Sequence, residues 1–203
     1  MKALVLCGGK PQIALIHELK RRNITAILAD ANDKAAAVQY ADVFYNVSTL
    51  DVVGIEKIAL AEKVDCILSV CADQMLLVAA QLSEKLNLPC YIDYETAKNV
   101  SSKEYMKRIF VENNIPTAKY IVGSSISLSV IEGLNFPLIV KPVDCYSSRG
   151  VKKVLNYDEL LSAFENAKNL SRTGTVIVEE FVEGLELSVD IYVENGKVNI
   201  LCI

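Results

Sequence analysis

The sequence predicts an α/β protein, in which an open, mostly parallel sheet over the first hundred residues precedes an α+β section with largely antiparallel strands. Three observations carry this reading. Through residue 100, short apolar runs (ALVLC, TAILA, DCILSVCA) alternate with amphipathic stretches, the rhythm of βαβ units. Beyond Val100 the alternation stops, and strands recur without a helix between each pair. Near the end, Asn195-Gly196 stands between two apolar runs, a hairpin signal.

In order, residues 3–7 read as a strand and 12–22 as a helix with Ile13, Ile16 and Leu19 on one face. Strands follow at 24–29 and 43–47, a helix at 52–63, a strand at 66–71 and a helix at 75–86. The second section opens with Ser101 or Ser102 capping a helix that runs to about Asn113, broken by Asn114-Ile115-Pro116. Strands are then expected at 120–122, 138–141, 151–155, 176–180, 186–193 and 197–203, with helices at 129–134 and 158–169.

The 203 residues are 52% hydrophobic with a mean hydropathy of +0.29. Each apolar run nevertheless falls well short of the roughly 20 residues that a membrane-spanning helix needs, so no membrane partner is expected. Met1-Lys2 leads directly into a strand, without the pattern of a secretory leader, which points to the cytoplasm. A net charge of −4 argues against nucleic acid. Among six cysteines no pair has CxxC spacing, and His17 is the single histidine. A zinc site, a Ser-His nucleophile and a Cys-His nucleophile are all disfavoured. Cys7, Cys66, Cys71 and Cys202 lie in or beside apolar runs and read as buried thiols. No catalytic side chain is assigned.

Ligands of open α/β sheets sit at the carboxyl ends of strands, which singles out Gly8-Gly9, Asp30 and Asp73. The glycines let backbone N–H groups approach an anion, but GGKPQ is neither a dinucleotide fingerprint nor a P-loop. Asp30 could hold a ribose or simply close a turn. Asp73 could cap the next helix or face a substrate.

Four later features line up in sequence. Lys103 starts a helix; Lys141 ends a strand and precedes Ser147-Ser148-Arg149-Gly150; Glu179-Glu180-Phe181-Val182 ends another strand; Glu186 follows a turn. Lysines neutralise phosphate oxygens as flexible point charges. A loop of small residues can lay N–H groups over phosphates. A strand end offers one C=O and one N–H to an adenine edge, and a carboxylate can accept from both ribose hydroxyls.

The stretches SSKEYMKRIFVENNIPTAKY, FPLIVKPVDCYSSRGVKKV and VIVEEFVEGLELSVDIYV, in this order and spacing, resemble the ATP-grasp superfamily. The nearest kinds are carbamoyl-phosphate synthase large chains, biotin carboxylase and phosphoribosylglycinamide synthetase-like ligases. The resemblance implies a Rossmann-like pre-ATP-grasp domain over residues 1–100. Residues 101–203 would be the first part of an ATP-grasp domain, with an ATP-binding lobe over about 120–182. It also implies ATP and Mg2+ as cofactors. Lys103 and Lys141 would bind phosphates, and Ser147, Ser148, Arg149 and Gly150 would close over them. The main chain around Glu179, Glu180 and Val182 would hold adenine, and Glu186 would hold ribose. Gly8, Gly9 and Asp73 would help shape the substrate site.

The implied activity is that of an ATP-dependent ligase, which activates a small-molecule carboxylate as an acyl phosphate for attack by an amine. Two departures stand out. Asp144, Cys145 and Tyr146 stand where relatives have more glycine, and the family's metal-binding acid and Asn would fall beyond Ile203, leaving no metal ligand within this chain. The last residues, VNILCI, stop inside an apolar strand, as if the ATP-grasp domain were cut short. Such an edge invites pairing into a homodimer. On this reading the chain alone binds ATP weakly and lacks ligase activity. The alternative is a non-catalytic nucleotide-binding or regulatory module. A nicotinamide-dependent enzyme is disfavoured, because it leaves the antiparallel section unexplained.

Overall fold

The computed structural model describes residues 1–145 and 148–203. Its first section is a parallel sheet of β1 (Lys2–Leu6), β2 (Thr25–Asp30), β3 (Val43–Asn46) and β4 (Cys66–Leu68), in the order β3-β2-β1-β4. Helices α1 (Lys10–Arg21), α2 (Val52–Glu62) and α3 (Asp73–Leu86) connect or follow the strands. Alternating side chains of each strand enter two different cores. Ala3, Val5, Ala26 and Leu28 meet Ile16 and Leu19 of α1. Leu4, Leu6, Ile27 and Ala29 meet Ile55 and Ile58 of α2 and Val78 and Leu82 of α3. Burial on both faces explains why these strands are apolar throughout.

The strand order reverses beside β1, so the loops after β1 and β4 flank the switch point where open sheets bind ligands. Asp73 is not the cap of α3: Ala72 is, and Asp73 lies in the first turn, where its charge still complements the helix dipole.

Two helices join the sections. The first, α4 (Tyr94–Ser101), was not expected, although Asp93 caps it by accepting the Thr96 N–H at 2.8 Å. Ser101 is consequently the buried end of α4 rather than a cap, and its hydroxyl donates to the Asp73 carbonyl. Helix α5 (Lys103–Glu112) starts after Ser102, whose side chain makes no capping bond. The Lys103 N–H donates instead to the Val143 carbonyl at 3.3 Å.

The second section is an antiparallel sheet of β5 (Tyr120–Gly123), β6 (Leu138–Pro142), β7 (Lys152–Val154) and β8 (Val176–Glu180), in the order β5-β8-β6-β7. One face, through Leu138, Val140, Val154, Val176 and Val178, packs on Leu160, Ala163 and Phe164 of α7 (Tyr157–Leu170), and a short α6 (Leu128–Ile131) closes one end. Strands β9 (Asp190–Glu194) and β10 (Lys197–Cys202) form a separate hairpin. Asn195 and Gly196 both take positive φ there, as the tight turn requires. The strand expected from residue 186 begins only at Asp190. No side chain alternation is buried over 181–189, so nothing holds that stretch in a ladder.

All six cysteines are free; Cys7 and Cys66 are half-buried, but Cys71 and Cys202 are exposed, which corrects their reading as buried thiols. No helix among the described residues is long and apolar enough to cross a membrane.

Candidate functional site

The sheet face opposite α7 collects the charged residues. In the β6–β8 ladder Ile139 pairs with Glu179 and Lys141 with Ile177, so Lys141 and Glu179 are diagonal neighbours on that face. Tyr120 of β5 and Lys153 of β7 lie in the same cross-strand row as Glu179 and Ile139. Lys141 Nζ contacts Glu179 Oε1, and Lys107 Nζ lies 2.9 Å from Glu179 Oε2. Lys107 also donates to Thr117 Oγ1 at 2.6 Å and stands 5.4 Å from the Tyr120 ring centroid.

Lys103 and Lys107 are one turn apart, so α5 presents both to the same region. Lys103 Nζ donates to the Cys145 carbonyl at 2.5 Å, at the edge of the loop after β6. Burial pulls the Lys103 ammonium below its ordinary value, and the charge of Lys141 adds to this, opposed in part by Cys145, Asp144 and Asp73. Lys103 at the N-terminus of α5 and Lys141 near the end of β6 both stand beside the loop after β6, a positive setting suited to an anion. For Glu179, burial pushes the carboxyl up, but Lys141 and Lys107 outweigh it and hold the group below the usual carboxylate range.

The loop after β6 is braced from behind. Asp144 Oδ2 accepts the N–H groups of Arg172 and Thr173 at 2.9 and 3.2 Å. Ser148 and Arg149 are exposed, and the Ser148 carbonyl accepts the Val151 N–H at 3.2 Å. Ser148 and Gly150 take positive φ, and Gly150 sits against Leu170 and Pro142. Ser147 lies outside the described residues.

At the end of β8 the Glu180 N–H donates to the Lys119 carbonyl, and the Glu180 carboxylate accepts from the Asn135 main chain and side chain at 2.9 Å. The backbone group that Glu180 could still offer a ligand is therefore its carbonyl. Phe181, Val182, Gly184, Leu185 and Glu186 line a cavity of about 270 Å³, with Lys153 Nζ 3.5 Å from the Phe181 ring centroid. Glu179, Glu180, Val182 and Glu186 thus continue from the lysine cluster into an open concavity.

The first-section candidates stand differently. Asp30 Oδ2 accepts the Gly8 N–H at 2.6 Å, so this amide is already engaged and Asp30 acts as a loop closer. Gly9 is the N-cap of α1. Gln12, in the first turn of α1, is buried and donates to the Val70 carbonyl at 2.6 Å, tying α1 to the loop after β4 at the switch point. Asp73 lines a cavity of about 130 Å³ with Ser69, Cys71 and Tyr91.

Sequence reasoning missed Lys107 and Lys153. The i, i+4 spacing of Lys103 and Lys107 signalled the first; Lys153 required the β6–β7 register. A larger cavity of about 430 Å³, lined by Val111, Thr117, Tyr120, Val130 and Leu134 among others, contains none of the expected residues. For Mg2+ the fit fails on these residues: no group of three or more His, Cys, Asp or Glu able to hold a metal ion occurs among those described.

Residues 117–203 match the family model described as the D-ala D-ala ligase C-terminus. A formate-dependent phosphoribosylglycinamide formyltransferase from Psychromonas ingrahamii is 32% identical over 190 residues, covering 89% of this chain and 47% of that protein. The crystal structure of phosphoribosylglycinamide synthetase from Anaerococcus prevotii superposes with a TM-score of 0.69 at 25% identity, over 97% of this chain and 49% of that one. An L-amino acid ligase from Bacillus licheniformis shares the fold, with a TM-score of 0.77 at 19% identity, over 98% of this chain and 48% of that one. The chain spans about half the length of the curated relatives it matches.

Proposed function

The relatives of this chain are ATP-grasp ligases, and from that premise we propose that it binds ATP on the face opposite α7. Residues 1–100 would then be a pre-ATP-grasp domain and 101–203 the first part of an ATP-grasp domain, with the nucleotide lobe over about 120–182. Lys103 and Lys141 take the phosphates, and the loop reaching Ser147, Ser148, Arg149 and Gly150 closes over them. The Glu180 carbonyl and the Val182 N–H take the adenine edge, with Ile139 beneath, and Glu186 takes the ribose. The observation that carries the reading is the placement of Lys103 and Lys141 beside the loop after β6, next to a strand end that leads into an open cavity.

The whole protein would be a carboxylate–amine ligase. ATP transfers its γ-phosphoryl group to a carboxylate, ADP leaves, and an amine displaces phosphate from the acyl phosphate. On the protein's side this asks for positioning and charge neutralisation rather than a covalent nucleophile. The small-molecule substrates belong to the first section's switch point, around Gly8, Gly9 and Asp73.

The test is calorimetric titration with ADP and, separately, NADH. ADP binding that falls at least about tenfold in Lys141→Met and in Glu186→Ala supports the reading, since a tenfold loss is about 1.4 kcal/mol, within the range of one charged hydrogen bond. Inorganic tripolyphosphate should feel Lys141→Met and ignore Glu186→Ala. Uptake of NADH in preference to ADP would overturn the proposal.

A further inference from the structure

Glu179 is a buried carboxylate with one lysine at each oxygen, and the two lysines are held very differently. Lys107 is the fixed one: its side chain is 9% exposed, Thr117 Oγ1 and the Ala118 carbonyl accept from it, and the Tyr120 ring stands beside it. Lys141 is 20% exposed, and among the described residues Glu179 is its one hydrogen-bond partner. It is the penultimate residue of β6, beside the loop that Lys103 also reaches. A lysine that serves phosphate has to leave Glu179 or share itself, and a buried carboxylate left without a cation is strongly unfavourable.

We propose that Lys107 is a positioning residue that keeps Glu179 charge-balanced, so that Lys141 can exchange the carboxylate for a nucleotide phosphate. This rests on the nucleotide reading given above. With Lys107 in place the exchange leaves Glu179 ion-paired throughout. Without it Lys141 is the sole counter-ion of Glu179, and phosphate must compete for it against a buried anion. Lys107 touches neither phosphate nor substrate in this scheme; it acts through Glu179.

The experiment is a double-mutant cycle on ADP affinity, read by calorimetry. Lys107→Met should weaken ADP binding by about tenfold or more. Lys107→Arg should retain it. Glu179→Gln in the Lys107→Met background should restore affinity, because the neutral amide no longer detains Lys141; a merely structural Lys107 would show no such rescue. Should Lys107→Met fail to fold, Glu179→Gln is compared with Glu179→Gln/Lys107→Met: equal affinities support the proposal, and a further loss overturns it. A wild-type protein that takes no ADP overturns the nucleotide reading and this inference with it. A wild type that binds ADP while Lys107→Met binds equally well overturns the inference alone.

Discussion

The Asp30 carboxylate accepts the Gly8 N–H at 2.6 Å through one oxygen and the Asn32 N–H at 2.7 Å through the other. One side chain therefore closes the loop after β1 and the turn after β2. Asp30→Ala should destabilise the protein by about 1–3 kcal/mol, the usual penalty for leaving partly buried donors unmade. Urea unfolding would show it as a lower midpoint at unchanged slope. Asp30→Asn, which keeps one acceptor oxygen, should lose less.

Gly150 has a φ of +75°, and an added Cβ would stand 2.9 Å from Leu170 Cδ1 and 3.0 Å from Pro142 Cγ. Leucine can move aside; the proline ring, set in β6, has little room to do so. Gly150→Ala should cost about 1–3 kcal/mol of stability through backbone strain and crowding together. Its ADP affinity should fall as well, because the turn re-aims the loop beside Lys141. Chemical denaturation and titration of the same preparation would check both.

The Glu179 carboxyl is held below its ordinary value of 4.5: burial works against this, and Lys141 and Lys107 overcome it. For a carboxyl depressed in the folded state, the unfolded chain binds the proton first on acidification. The stabilisation from this group is thus fully present above the ordinary carboxylate value and is lost as pH falls through the depressed one. Melting temperatures measured from pH 7 downwards should drop more steeply below about pH 4.5 in the wild type than in Glu179→Gln. Parallel curves would contradict the assignment.

Burial, helped by Lys141, pulls Lys103 below its ordinary value of 10.5. In the free protein this means that raising the pH through the depressed value relieves an unfavourable charge, so stability rises there. Bound phosphate does the opposite and favours the ammonium. ADP affinity should therefore decline as the pH is raised towards 10.5, with proton uptake on binding, and Lys103→Arg should flatten that decline. A pH-independent affinity in the wild type would remove Lys103 from the phosphate site.

Much of the architecture was legible because two physical periods dominate it. Doubly buried strands such as β1 and β2 have to be apolar throughout, and amphipathic α1 and α7 have to alternate at helical spacing, so both announce themselves. Helix α4 was missed because only Ala97 and Ser101 of it are buried; a helix lying mostly in solvent carries little pattern, and its Asp93 cap was the sole signal. The stretch 186–189 was read as strand because Leu187 and Val189 alternate with Glu186 and Ser188, but no partner strand or core receives them. At the candidate site, Lys141 was singled out in the sequence by its place at a strand end. The pairing of Glu179 with Lys107 was not, since a buried ion pair depends on register and on how α5 lies over the sheet, and neither is local in sequence.

The alternation along β6 has a consequence for how the protein folds. Leu138 and Val140 face α7, while Ile139 and Lys141 face the other way. If β6 slipped by one residue against β8, Lys141 would be driven in among Phe164 and its neighbours, with its charge uncompensated. The same lysine thus penalises mispaired chains as they form.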